Sequence, residues 1–186
     1  MQVEESVRQT TEQYNQVASA CRQVFVKKMQ DYGPSWRILR PMSITDQLFI
    51  KANRIRSIEE KGEAKIDEGV TPEYMALVNY SIIGLIQLEK GAANEPDLST
   101  EEAAELYDRY ITEAKDLMEK KNHDYGEAWR DMRLKSLTDL ILVKVLRIKQ
   151  IEDNDGRTLV SEGVDSNLYD MINYAVFALI KLAEKE

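Results

Sequence analysis

Apolar side chains recur along the chain at the three-to-four-residue spacing of helices that present one face to a core. Ala103, Leu106, Tyr107, Tyr110, Ile111, Ala114, Leu117 and Met118 form the clearest stripe, introduced by Ser99-Thr100-Glu101-Glu102, a cap with an acidic residue three places on. Val7, Tyr14, Val17, Cys21, Val24 and Phe25 repeat the spacing through residues 1–30, which hold neither proline nor glycine. Both stripes run into Asp-Tyr-Gly, at 31–33 and 124–126, where glycine can take the left-handed backbone that ends a helix. Ser43-Ile44-Thr45-Asp46 and Ser136-Leu137-Thr138-Asp139 read as capping boxes for a second helix, reaching about Glu60 and Asp153. A third helix is expected from Thr71-Pro72, with the threonine as cap, and from Asp165-Ser166, with Asp165 as cap. These two end in the apolar runs Ile82 to Leu88 and Ala175 to Leu182.

The pattern occurs twice because the sequence does. At an offset of 93 residues, Lys28/Lys121, Asp31/Asp124, Tyr32/Tyr125, Gly33/Gly126, Trp36/Trp129, Arg37/Arg130, Thr45/Thr138, Lys51/Lys144 and Arg54/Arg147 coincide. The offset becomes 94 where Glu68-Gly69-Val70 meets Glu162-Gly163-Val164 and Asn79-Tyr80 meets Asn173-Tyr174. The expected fold is therefore an all-α bundle of two tandem repeats, each with three main helices and one short helical turn. Residues 1–90 make the first repeat, 91–99 a linker and 100–186 the second. Apolar faces this broad are hard to bury within three helices, so the repeats should share one core about a pseudo-twofold axis.

Composition narrows the classes of function. The 186 residues carry a net charge of -8, which argues against a general nucleic-acid binder. The acidic excess lies wholly in the second repeat: residues 1–93 hold 12 basic and 12 acidic side chains, residues 94–186 hold 13 and 21. A single cysteine, an N-terminus without a basic or apolar signal region, and no long apolar run lead to the expectation of a reduced, cytoplasmic protein away from membranes.

Candidate chemistry begins at Leu140 to Ile148, where the only polar side chains in nine residues are Lys144 and Arg147. Cations on a helix this apolar must be paired or bind an anion, since desolvating a lone charge costs several kcal/mol. Lys51 and Arg54 repeat the pair. Three explanations stand: phosphate recognition at an enclosed site, a buried ion pair with Glu68, Glu162 or another carboxylate, or lysines that merely snorkel to solvent. Tyr125, Trp129 and Arg130, with Trp36 in the first repeat, could stack on a base and reach a phosphate, or could simply stop a helix and complete the core. Asn173 lies on the same face as Asp170. Glu162 and Asp170, with Asp124, are the carboxylates most able to hold a divalent ion, for which Mg²⁺ is the expectation. No glycine-rich phosphate loop, Cys/His metal set or nucleophile elbow is present, so no residue is singled out as catalytic.

The run DYGxxWRxxRxxSxTDxxxxKxxRI, followed by EGV and INYA-like residues, resembles the nucleotide-modification-associated domain family. Both copies carry the resemblance, most fully through Asp124, Tyr125, Gly126, Trp129, Lys144, Arg147, Asp170, Asn173 and Tyr174. It implies a place in nucleotide metabolism. More distantly, the duplicated layout is similar to the all-α MazG-type and dUTPase-like nucleoside triphosphate pyrophosphohydrolases, which hold Mg²⁺ between acidic pairs on facing helices. Glu102/Glu105 and Glu162/Asp165 fit that lettering but stand further apart than it requires. The leading expectation is thus a protein that binds a nucleotide between its two halves, with nucleotide hydrolysis assisted by Mg²⁺ as its extension and nucleotide as its partner. The alternative is a non-catalytic helical interaction module with structural ion pairs, and further self-association is open to either.

Overall fold

The computed structural model describes residues 1–62 and 69–185. Among these it forms six α-helices and two short 3₁₀ turns, three helices and one turn to each repeat, with no strand. The first repeat holds α1 (Gln2–Tyr32), α2 (Pro41–Lys61) and α3 (Thr71–Lys90), with a turn at Ser35–Ile38. The second holds α4 (Thr100–Tyr125), α5 (Leu134–Asp153) and α6 (Val164–Ala183), with a turn at Ala128–Asp131. No helix among the described residues is long and apolar enough to cross a membrane. Residues 63–68, Glu68 among them, lie outside the described part.

The glycine stops are as the spacing predicts. Gly33 (φ 68) and Gly126 (φ 61) follow α1 and α4, and their amides bond back to the carbonyls of Met29 and Asn122. At the start of α4 the capping box forms: the Glu102 amide donates to Ser99 Oγ at 3.1 Å, and the Ser99 amide donates to Glu102 Oε2 at 2.8 Å.

Other helix starts differ from the sequence expectation. α2 and α5 begin at Pro41 and Leu134, after Arg40 and Arg133 in extended backbone, so the Ser-x-Thr-Asp runs lie inside the first turns and cap nothing. Proline suits that position because its fixed φ is helical and its missing N–H would have had no partner. Thr45 and Thr138 are freed for another use. Thr45 Oγ1 donates to Glu152 Oε1 at 2.5 Å and Thr138 Oγ1 to Glu59 Oε1 at 2.7 Å, each bond crossing between repeats. α3 starts at Thr71 itself, with Val70 before it, and α6 starts at Val164 after Gly163. Asp165 is accordingly a first-turn acid, where the amide ends of the helix favour negative charge, rather than the cap.

α3 and α6 form the centre, each with twelve buried residues. Their approach is close enough that a Cβ on Gly84 would stand 3.2 Å from Leu168 Cδ1. The outer helices lock on through a reciprocal pair of bonds: Tyr14 Oη donates to Asn173 Oδ1 and Tyr107 Oη to Asn79 Oδ1, both at 2.8 Å. Each asparagine then donates to a carbonyl of its own repeat, Asn79 to Cys21 at 3.1 Å and Asn173 to Ala114 at 3.0 Å. Tyr14 and Tyr107 are counterparts, as are Asn79 and Asn173, and Cys21 and Ala114. The bundle is therefore pseudo-twofold down to single hydrogen bonds, and its core is one.

Candidate functional site

The paired cations of α2 and α5 lie beside buried carboxylates, but the carboxylate comes from a different place in each repeat. In the first, Glu73 on α3 takes Arg54 through Oε1 and stands 3.4 Å from Lys51 Nζ through Oε2, its side chain only 3% exposed. The position equivalent to Glu73 is Asn167, which donates to the Gly163 carbonyl at 2.7 Å instead. In the second repeat Asp170 does the work from one helical turn further along α6, where the first repeat has Ala76. Asp170 Oδ1 receives Lys121 Nζ at 2.7 Å and Oδ2 receives Lys144 Nζ at 2.8 Å. With Asn in place of Glu, Arg147 has no ion pair or hydrogen bond among the described residues and is exposed. The first repeat so realises the ion-pair explanation, and the second realises it for Lys144 while leaving Arg147 over.

Arg147 and Lys144 line a cavity of about 1110 Å³ between α5 and the loop that precedes α6. Arg157, Glu162 and Asn167 line it too, and Val143, Leu146, Leu159 and Val160 supply an apolar side. Leu159 and Val160 are almost wholly exposed. The end of α4 adjoins this region. Burial raises the Tyr174 phenol above its ordinary range and Asp170 adds to the rise, while Lys121 and Arg147 oppose it and the Tyr125 phenol reinforces it. For Lys121, burial works against the charged form, and the hydrogen bond and charge of Asp170 outweigh it, so the ammonium is held above its usual range. Tyr125 is 73% exposed. The structure thus brings Lys144, Arg147 and Glu162 to the wall of one cavity, with Asp170 holding Lys144, within the second repeat rather than between the repeats; Tyr125 lies outside that lining.

Other residues singled out from the sequence stand elsewhere. Trp129 is buried with its ring stacked on Phe177, centroids 4.2 Å apart and planes 4° from parallel. Arg130 lies 4.4 Å from the Trp129 centroid and donates to Thr10 Oγ1 at 2.6 Å and Gln13 Oε1 at 2.8 Å on α1. Asn173 has both ends of its amide bonded inside the core. Trp36 is buried as well, and its indole N–H points to Met29 Sδ at 3.3 Å. Lys51 and Arg54 are committed to Glu73. Asp124 sits in a shallow surface depression with Asp116, Glu119 and His123, its carboxylate 3.3 Å from the imidazole. Among the described residues no three His, Cys, Asp or Glu side chains are placed to hold a metal ion together, and both Asp170 oxygens already face ammonium groups.

Three participants escaped the sequence reading. Glu73 and Arg157 have no like-for-like counterpart, so identity between the repeats does not mark them. Lys121 is shared with Lys28, but nothing in its spacing tells that it meets Asp170.

Compared with known proteins, the chain matches the family described as Nucleotide modification associated domain 1 in two segments, residues 28–88 and 121–182. No curated protein and no solved structure matches it.

Proposed function

The chain belongs to the nucleotide modification associated domain 1 family, in two tandem copies, and on that premise we propose that it binds a nucleotide in the second-repeat cavity. Arg147 carries the reading: a guanidinium without a counter-charge, beside Lys144, on the wall of a cavity large enough for a nucleotide. Arginine holds phosphate through two parallel N–H bonds, and Lys144 adds a point charge already positioned by Asp170. Arg157 lines the same cavity and can reach the far end of a phosphate chain. Tyr125, exposed at the adjoining end of α4, offers a ring for stacking. The apolar wall of Leu146, Leu159 and Val160 suits the base or sugar.

The test is thermal stability with a panel of nucleoside mono-, di- and triphosphates, with and without Mg²⁺ and Mn²⁺, for the parent and for Arg147→Met. A ligand at one hundred times its dissociation constant adds about 2.7 kcal/mol. The expected result is stabilisation by one nucleotide class that disappears in the variant. Equal stabilisation of the variant, or none of the parent by any member, removes the proposal.

Hydrolysis extends the same reading. Mg²⁺ commonly takes only one or two carboxylates and fills its remaining positions with water and substrate phosphate. Glu162, on the cavity wall, is the residue that would hold it there, and a phosphate-bound Mg²⁺ would supply charge stabilisation to phosphoryl chemistry. Glu162→Gln should then abolish the difference between nucleotide stabilisation with and without Mg²⁺ while leaving the metal-free part intact. Release of inorganic phosphate or pyrophosphate from the nucleotide class so identified distinguishes an enzyme from a binding protein.

A further inference from the structure

The first repeat holds a second cavity, of about 580 Å³, where α1, the Ser35–Ile38 turn and α3 meet. Its position is that of the Trp129–Phe177 stack and the Asp170 carboxylate in the second repeat. There, α6 presents Phe177 against Trp129 and, seven residues earlier on the same helix, Asp170 to Lys121. In the first repeat Phe177 is replaced by Ile83 and Asp170 by Ala76, and both replacements line the cavity. Trp36, the counterpart of Trp129, lines it too, and so does Lys28, the counterpart of Lys121. Lys28 is exposed and has no ion pair among the described residues. Phe25 does not restore the lost ring, because it approaches Trp36 at 6.2 Å and a 40° tilt rather than stacking.

We propose that this cavity binds a planar aromatic anion, whose ring takes the place that Phe177 fills in the second repeat and whose anionic group takes the place of the Asp170 carboxylate beside Lys28. Residues seven apart on a helix share a face and stand about 10 Å apart along the axis, which sets the ring-to-anion separation. Aryl alkanoates with a chain of several carbons and nucleoside diphosphates are the two chemical forms of that dimension. The wall is mostly apolar, with Tyr80 of α3 one turn from the ring position and Met75 next to Ala76, so the ring supplies affinity and Lys28 supplies the choice of charge. This site is independent of the second-repeat cavity and shares no residue with it.

The test is titration calorimetry of the full chain with naphthyl and indolyl alkanoates and with nucleoside diphosphates, each beside its uncharged ring counterpart. The expected result is a dissociation constant below about 1 mM for at least one anion, with its neutral counterpart about tenfold weaker. Ile83→Phe and Ala76→Asp each install the group that the second repeat already carries, and each should weaken that binding at least about tenfold with the fold retained by circular dichroism. Lys28→Met should erase the preference for the anion. Binding that survives both filling variants, or no binding by any member of the panel, overturns the proposal. A nucleoside diphosphate signal removed by Arg147→Met and untouched by Ile83→Phe belongs to the other cavity and also counts against it.

Discussion

The two repeats use the same pair of cations to opposite ends. In the first, Glu73 engages both Lys51 and Arg54, so the pair closes on itself. In the second, the carboxylate has moved one helical turn to Asp170, where it takes Lys144 and Lys121 and leaves Arg147 over. A displacement of a single acidic residue along the last helix thus converts a structural ion pair into an uncommitted guanidinium at a cavity. The reverse holds around the tryptophans: the second repeat fills the space with Phe177 and the first leaves it open. Where one repeat is closed, the other is open, which is how duplicated halves within one core can take on different work.

The strongest way to break this contrast is Glu73→Ala. Removing a carboxylate that is almost fully buried takes from Lys51 and Arg54 the charge they share, and the expected loss is about 3 kcal/mol in urea unfolding. A loss no larger than that of an exposed ion pair would mean that the cations of the first repeat are not held by Glu73. Next come Tyr14→Phe and Tyr107→Phe. Each leaves a buried asparagine oxygen without its donor, at a cost of about 1 to 3 kcal/mol, and the two should cost alike because the bonds are symmetry counterparts. A large difference between them would show that the pseudo-twofold frame is not shared equally.

Arg147→Met and Arg54→Met sharpen the contrast directly. The first should leave the denaturation midpoint unchanged and weaken nucleotide binding by at least about tenfold, or about 1.4 kcal/mol. The second should lower stability instead, since it breaks the Glu73 pair. The smallest effect is expected at Glu152, whose carboxyl burial holds above the ordinary glutamate range against the opposing hydrogen bond from Thr45. An acid with a raised folded-state value favours the native state in its protonated form, so its contribution is fully present below the ordinary glutamate range and is lost as pH rises through the raised value. Glu152→Gln stays neutral throughout. Its advantage over the parent should therefore appear only above that value, as a flatter dependence of unfolding midpoint on pH.

Much of the fold was legible because it rests on spacing. The stripe through Tyr107 and Met118, the glycine stops at Gly33 and Gly126, and the repeat itself all follow from side-chain periodicity and backbone freedom. Helix starts were less so. Ser-x-Thr-Asp satisfies the lettering of a cap, but Thr45 and Thr138 are claimed by Glu152 and Glu59 across the repeats, a contact no local pattern contains. The candidate site divided along the same line. Lys144 and Arg147 announced themselves as charges in an apolar run, whereas the fates of Trp129, Arg130 and Asn173 depended on which neighbour, Phe177, Thr10 or Tyr14, was nearest in space. Identity between copies marked positions that the frame needs, and differences such as Glu73 against Asn167 marked where the copies part.

The reciprocal tyrosine bonds also set an order of events during synthesis. When Tyr107 emerges, its acceptor Asn79 has already been made, but Tyr14 must wait for Asn173, 159 residues behind it. At ribosomal speeds of roughly 5 to 20 residues per second that delay is on the order of 8 to 30 s. The second repeat's long helix can therefore make its tyrosine bond as soon as it forms, while the first helix of the chain, the earliest to be made, is the last to make its own.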